Sequence, residues 1–377
     1  MLNLLQVGKG WFPQESGGLN RYFYDCVQYL PSQQLNLESL VTYSAHQDQN
    51  SQLPIHFFGS AHASLPTRWQ HVRQAFQTIE KSHPYDLVSS HFALYTAPLL
   101  DLLKQPLVMH FHGPWALEGE AEGNGCMKSY VKESLEKLVY GRAKHFIVLS
   151  YAFKRILECK YNVPEAKISV VPGGVNFNRF NISLSQQEAR QILGLPQDRT
   201  ILLAVRRLAK RMGLEQLVEA IAHLKQQHPD LLLLIAGKGA QAEALQAQID
   251  ERGLNQNVRL LGYVSDDDLP VYYRSANMSI VPSQALEGFG LILLESLSAG
   301  TPVLGTPIGG IPEVLNPLSS DLVFGGTEVA DIQQGLRDIL NGSIALPTQR
   351  ECQQYAKNHY DWPIVANQLK TVYEAIA

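Results

Sequence analysis

Two carboxylates, Glu287 and Glu295, frame a glycine-rich turn, Gly288-Phe289-Gly290-Leu291, that follows a short apolar strand at 277–282. The turn opens a helix that Gly300 and Pro302 must stop. The spacing of the acids slightly exceeds two helical turns, so both can project to one side if the helix spans most of the interval. Glycine at 288 and 290 lets the backbone approach a ligand closely, and the amides left free at a helix start suit a phosphate. Acceptors for hydroxyls beside donors for a diphosphate are what a sugar nucleotide requires. A second cluster, Arg206, Arg207, Lys210 and Arg211, lies between a strand at 200–205 and a helix at 214–225, where it can form an anion pocket. His112 follows a strand at 107–111, and parallel sheets bind ligands beyond such strand ends. His110 projects to the same face and is the weaker candidate. Gly17 and Gly18, after Ser16, open a helix that runs to Leu30.

The elements that position these residues alternate in type. Strands read at 2–7, 37–43, 86–90, 107–111 and 145–150, with a helix at 67–81, and Ile168 to Val171 closes the series. This is the pattern of a doubly wound parallel sheet with helices on both faces. The breaker-rich loop Pro172-Gly173-Gly174-Val175-Asn176 marks a domain boundary, and strands at 200–205, 231–236, 258–261 and 277–282 then restart the pattern. The expected domains are 1–174 and 175–359, with a last helix over 360–377. Gly8 and Gly10 have the start of a dinucleotide fingerprint, but Pro13 stands where the third glycine would let helix pack on strand, which argues against a dehydrogenase.

At 377 residues the chain suits two ordinary cores, and 18% charged with 45% hydrophobic residues is a globular balance. The net charge of −4 divides into 15 basic and 14 acidic groups over 1–178 against 16 and 21 over 179–377, so neither half resembles a nucleic-acid binder. Cys26, Cys126, Cys159 and Cys352 lack C-x-x-C spacing, which favours reduced thiols over a zinc site. With no signal-peptide pattern and no apolar run long enough to span a bilayer, a cytoplasmic location follows as the expectation. Asp266-Asp267-Asp268 contains a D-x-D, but after Ser265 and before an apolar helix it reads as an N-terminal cap, so no divalent metal and no cofactor are expected. Over 123–144, Lys128, Lys132, Lys137, Arg142 and Lys144 accompany Met127, Val131, Leu135 and Leu138 on one helix. A buried apolar stripe beneath a solvated face explains this spacing, and the sharper alternative is peripheral contact with an anionic membrane at its inner face or with a lipid-linked acceptor.

The run E-G-F-G-L-x-x-x-E from Glu287, followed by A-G-x-P-V from Ala299 and G-G-x-x-E from Gly309, resembles the signature of the retaining family 4 glycosyltransferases. The resemblance covers nearly the whole chain and is closest over 200–315. It implies the GT-B architecture, two Rossmann-like domains facing across a cleft, with the last helix packing back on the first domain. It implies transfer of a hexose from UDP-glucose or a related UDP-sugar to a saccharide or lipid-linked acceptor, without a metal, in polysaccharide or glycoconjugate synthesis. It places His112, Glu287, Arg207 and Arg211 in catalysis. Gly17, Gly18, Arg207, Arg211, Gly237, Val264, Glu287, Gly288, Phe289, Gly290, Leu291 and Glu295 would hold the nucleotide sugar, with Glu295 on the ribose and main chain near Val264 on the base. Relatives carry a lysine where Met212 stands, so Arg211 or Lys210 must supply that charge, with Arg211 favoured. The competing readings are a sugar-nucleotide epimerase of the same architecture, a phosphorylase, which lacks a pyridoxal-lysine motif here, and a silent nucleotide-sugar binding subunit.

Overall fold

A computed structural model describes residues 1–15, 17–43, 55–82, 84–122 and 125–377, with the Cys126 side chain also excluded. Ser16, residues 123–124 and the Cys126 side chain therefore lie outside the described residues. The chain divides into two compact units, Met1–Gly174 with Trp362–Ala377, and Val175–Asp361.

In the first unit, β1 (Leu2–Val7), β2 (Leu35–Tyr43), β3 (Ile55–Ser60), β4 (Leu87–Ser90), β5 (Leu107–Phe111), β6 (His145–Val148) and β7 (Ile168–Val170) form one sheet in the order β3-β2-β1-β4-β5-β6-β7. Every pairing is parallel. Strands covered on both faces are near-continuous apolar runs, and Leu87, Val88, Leu107, Val108 and Met109 are accordingly buried. The order reverses between β1 and β4, so the loops beyond their carboxyl ends part and leave room for a ligand. Helices α1 (Gly18–Tyr29), α2 (Leu65–Ser82) and α3 (Cys126–Arg142) belong to this unit.

The second unit repeats the plan with β8 (Thr200–Val205), β9 (Leu231–Ala236), β10 (Val258–Gly262), β11 (Met278–Val281) and β12 (Val303–Gly305), in the order β10-β9-β8-β11-β12. Its reversal falls between β8 and β11, the two strands that deliver the arginine loop and the glycine turn. The apolar face of α4 (Leu214–Leu224) packs on β8 and β9 through Leu217, Val218, Ile221 and Leu224. Helix α5 (Leu291–Ser298) follows the turn, and the chain then returns to the first unit as α6 (Trp362–Ile376). There the Trp362 indole donates to Asp25 at 3.0 Å and Lys144 Nζ donates to the Ile376 carbonyl at 2.6 Å.

Three local expectations change. The strand beginning at His145 ends at Val148 and not at Ser150, while Ser150 begins the next helix, Tyr151–Tyr161, as expected, accepting from the Phe153 amide. Strand β3 carries weak apolar alternation and was not expected. The apolar stripe of α3 is not buried, since Met127, Val131 and Leu138 are all exposed. Its core contacts come from Val139 and Tyr140 on the opposite face. Among the described residues no helix is long and apolar enough to cross a membrane.

Candidate functional site

In the second unit the loops after β8, β9, β11 and β12 meet because glycines let their backbones touch. A Cβ at Gly237 would lie 1.8 Å from the Arg206 carbonyl oxygen, one at Gly213 1.8 Å from that of Pro282, and one at Gly309 1.7 Å from that of Glu287. All three glycines have positive φ. Gly237 thus sets loop packing at its predicted position, with its amide donating to Gly262 at 2.7 Å.

Helix α5 starts only at Leu291, so Glu287 sits in the loop before it, and the two acids do not share a helix face. Glu287 instead faces back to β8. Arg206 Nη2 donates to Glu287 Oε2 at 2.6 Å and to Ser283 Oγ at 2.6 Å, and Ser283 Oγ donates to Glu287 Oε2 at 2.9 Å. The same Nη2 lies 2.8 Å from Met212 Sδ. Burial pushes the Glu287 carboxyl up, but the charge and hydrogen bond of Arg206, the Ser283 hydroxyl and the nearby Arg211 outweigh it and hold the pKa below the usual glutamate value. Arg206 was not singled out by the sequence, and it is the buried member of the cluster, 8% exposed, whereas Arg207 is exposed. Half-buried Arg211 donates to the Leu286 carbonyl at 3.1 Å and bears on the Glu287 charge. The guanidinium beside Met212, where relatives were expected to carry lysine, is therefore that of Arg206.

Gly290, with φ of 79°, precedes the first helical residue, Leu291, and leaves the amides at 289–291 at a helix start. The Phe289 ring is buried against Tyr360, so only its main chain is available to a ligand. Gly288 lies in the same turn. Glu295 accepts from Tyr273 Oη at 2.9 Å. Burial, and then the Glu295 charge, raise the Tyr273 pKa, so the phenol stays a neutral donor. Val264 is half-buried after β10, where Lys238 Nζ stands 5.4 Å over the Tyr263 ring. Asp266 of the D-x-D pairs with Arg179 at 2.9 Å, and Asp268 closes a turn with Ser265.

The first unit carries His112, Gly17 and Gly18. Among the described residues, a Cβ at either glycine would meet nothing within 4 Å. His112 belongs to a group of three. Ser90 of β4 pairs with Met109 of β5, so His91 and His110 occupy the next rung, and their rings stack at 4.1 Å and 12°. His91 Nδ1 lies 3.0 Å from His112 Nε2, and His110 Nε2 lies 2.7 Å from Tyr373 Oη. Tyr22 packs on all three rings. Burial lowers all three pKa values, His112 to about 3, with neighbouring imidazoles adding to the effect on His91 and His110. All three are neutral at physiological pH.

The proton positions follow from which nitrogens are stranded. Among the described residues, His91 Nε2 and His110 Nδ1 are buried without a partner. A stranded N–H is rarer in proteins than a stranded acceptor, so each ring carries its proton on the other nitrogen. His91 Nδ1–H then donates to His112 Nε2, and the half-buried His112 keeps its own proton on Nδ1. One nitrogen from each ring lies within 4.8 Å of the others, which in composition suits a metal. The ring planes do not suit one, because lone pairs of stacked imidazoles run side by side.

The family model described as Glycosyltransferase Family 4 matches residues 16–179, and that described as Glycosyl transferases group 1 matches 185–359. The D-inositol 3-phosphate glycosyltransferase of Corynebacterium jeikeium is 28% identical over 314 residues, 79% of this chain and 74% of that protein. Among solved structures, Anabaena HepE in complex with UDP-glucose matches with a TM-score of 0.80 and 20% identity, covering 100% of both chains. Sucrose-phosphate synthase from Thermosynechococcus elongatus matches with a TM-score of 0.80 at 20% identity, over 100% of this chain and 99% of that one. At this identity the structural likeness speaks for the fold, two parallel-sheet α/β domains of the glycosyltransferase type.

Proposed function

Because the chain belongs to the family 4 glycosyltransferases, we propose that it moves a hexose from a UDP-sugar to a saccharide or lipid-linked acceptor, with retention of anomeric configuration and without a metal. The observation that carries this reading is the Glu287 carboxylate, held ionised by Arg206 and Ser283 beside a turn whose amides open α5. As the bond between C1 and the β-phosphate oxygen breaks, its electron pair and negative charge pass to the phosphate. Stabilising that charge is the main catalytic need. Arg207, Arg211 and the amides at 289–291 supply it. Arg206 keeps Glu287 anionic, so that Glu287 accepts from hydroxyls of the donor sugar and favours positive character at C1. The acceptor oxygen bonds to C1 on the face the phosphate leaves, and a phosphate oxygen takes its proton. Glu295 holds the ribose hydroxyls, and His112 donates Nδ1–H to an oxygen of the donor. The bound UDP-glucose of HepE favours a uridine donor. The unpaired thiols of Cys26, Cys159 and Cys352 favour the cytoplasm.

Calorimetry with UDP-, GDP- and ADP-sugars, joined to slow donor hydrolysis in EDTA, tests the proposal. Tightest binding of a UDP-sugar and hydrolysis unaffected by EDTA are expected, and both should vanish in Arg207→Ala/Arg211→Ala. Near-normal turnover by that pair refutes the anion pocket, and loss of activity in EDTA refutes metal independence.

A further inference from the structure

Of ten exposed large apolar side chains among the described residues, four lie on α3: Met127 at 78%, Tyr130 at 70%, Val131 at 61% and Leu138 at 60% exposure. Their spacing of three, four and eleven residues from Met127 places them along one helical face. The helix already has its core contacts on the other side, through Val139, Tyr140 and Glu136. Glu136 is fixed there, accepting from the Trp115 amide and from Tyr161 Oη, each at 2.8 Å. Among the described residues, the outward stripe therefore covers nothing in its own unit. Single exposed apolar residues are ordinary, whereas a continuous row of them marks an interaction surface.

The charge around the row selects the partner. Lys128, Lys137 and Arg142 are exposed on α3, and Lys132 lies 4.8 Å over the Trp115 ring. The acid nearest this face, Glu133, sits between Lys137 at 3.0 Å and Lys160 at 3.8 Å, so its charge is offset twice. Glu120 and Glu122 are exposed but precede the helix in the chain. An apolar row flanked by long cationic side chains fits the interface of an anionic bilayer, where methyl and phenol groups enter the acyl boundary and ammonium groups rise to the phosphates.

We propose that the solvent face of α3 seats the enzyme on an anionic membrane surface. This goes beyond the donor chemistry and does not depend on it. A surface-bound enzyme is suited to an acceptor that is itself held in the bilayer.

Co-sedimentation of the full chain with vesicles decides the matter. Binding to vesicles containing phosphatidylglycerol should exceed binding to pure phosphatidylcholine at least tenfold, and should fall as salt is raised, since each lysine near an anionic surface contributes about fivefold. The variant Met127→Ser/Val131→Ser/Leu138→Ser should lose about tenfold in partitioning while keeping the far-UV circular dichroism and UDP affinity of the parent. Lys128→Glu/Lys137→Glu should abolish the preference for anionic lipid. Equal binding to both vesicle types, no binding to either, or unchanged binding by the serine variant overturns the proposal. A concentration-dependent dimer that the serine variant abolishes also overturns it, because the stripe would then be covered by a second copy. UDP affinity, measured without vesicles, reports separately on the glycosyltransferase reading.

Discussion

Replacing Arg206 with leucine should separate a structural ion pair from a mere neighbour. In the parent, a single nitrogen, Nη2, serves both Glu287 and Ser283 at 2.6 Å, and the residue is 8% exposed. Removing it leaves a buried carboxylate with one hydroxyl donor, and breaking one side of such a pair costs about 3–5 kcal/mol. The pH dependence carries the sharper signature. Glu287 has a depressed pKa in the folded parent, so its contribution is present above the ordinary carboxyl range and lost as pH falls through the folded value. In Arg206→Leu the largest remaining influence is burial, which raises the folded pKa above the unfolded one. The sign then inverts: the contribution is full at low pH and lost as pH rises. The difference in stability between parent and variant should therefore widen from acid to neutral pH, and Glu287→Gln should close most of it. All four tryptophans lie in the first unit, at 11, 69, 115 and 362, so their fluorescence is silent here. Circular dichroism and amide exchange of β8 and β11 are the suitable probes. A pH-independent difference, or an Arg207→Leu variant that loses as much as Arg206→Leu, would refute the assignment of Arg206 as the partner of Glu287.

The histidine group loses stability in acid as well, but from a higher pH than the parent Glu287 does. Each buried imidazole has a folded pKa below its unfolded one, so stability is present above about pH 6.5 and lost below it, by about 2 kcal/mol per histidine between pH 7 and 5. Tryptophan-detected melts should show His110→Phe with a visibly shallower acid slope. His91→Phe should release the His112 tautomer, read as a change in its ring 15N shifts, and lower kcat/KM about tenfold through one lost hydrogen bond. Gly309→Ala meets both a φ of 58° and a carbonyl oxygen 1.7 Å from the new Cβ, so exchange protection in the second unit should fall by at least about 1–3 kcal/mol. Glu295→Ala should weaken UDP binding by about 2 kcal/mol, and unchanged affinity by calorimetry counts against its ribose role.

Periodicity and breakers read the framework well because the sheets are buried on both faces. Strands β1, β5, β8 and β9 begin and end where their apolar runs do. Strand β3, an edge with Ile55, His56 and Phe57 only partly covered, has no such run and escaped notice. The misreading of α3 has a related cause: a row at 127, 131 and 138 shows that a helix has an apolar face, not which side the sheet occupies. Here Glu136 decides, since a carboxylate held by Trp115 and Tyr161 fixes the inner face and turns the methyl groups outward.

The loops after β8 and β11 show where one-dimensional reasoning stops. Two adjacent arginines follow β8, the first still donating its amide to Ala236 of β9, so the alternation of the strand carries one of them inward. Family spacing draws attention to Arg207, yet the inward residue is Arg206, whose carbonyl lies against Gly237 and whose guanidinium meets Met212 and Glu287. Methionine at 212 is itself informative in that light. A lysine there would put its Cδ where the thioether sulfur now lies, 2.8 Å from Arg206 Nη2, and its ammonium two bonds farther along, close enough for two like charges in a shielded site to repel. Arginine at 206 and an uncharged residue at 212 therefore belong together. Restoring lysine at 212 should be tolerated only when Arg206 is also replaced, a coupling that a double-mutant cycle reads directly.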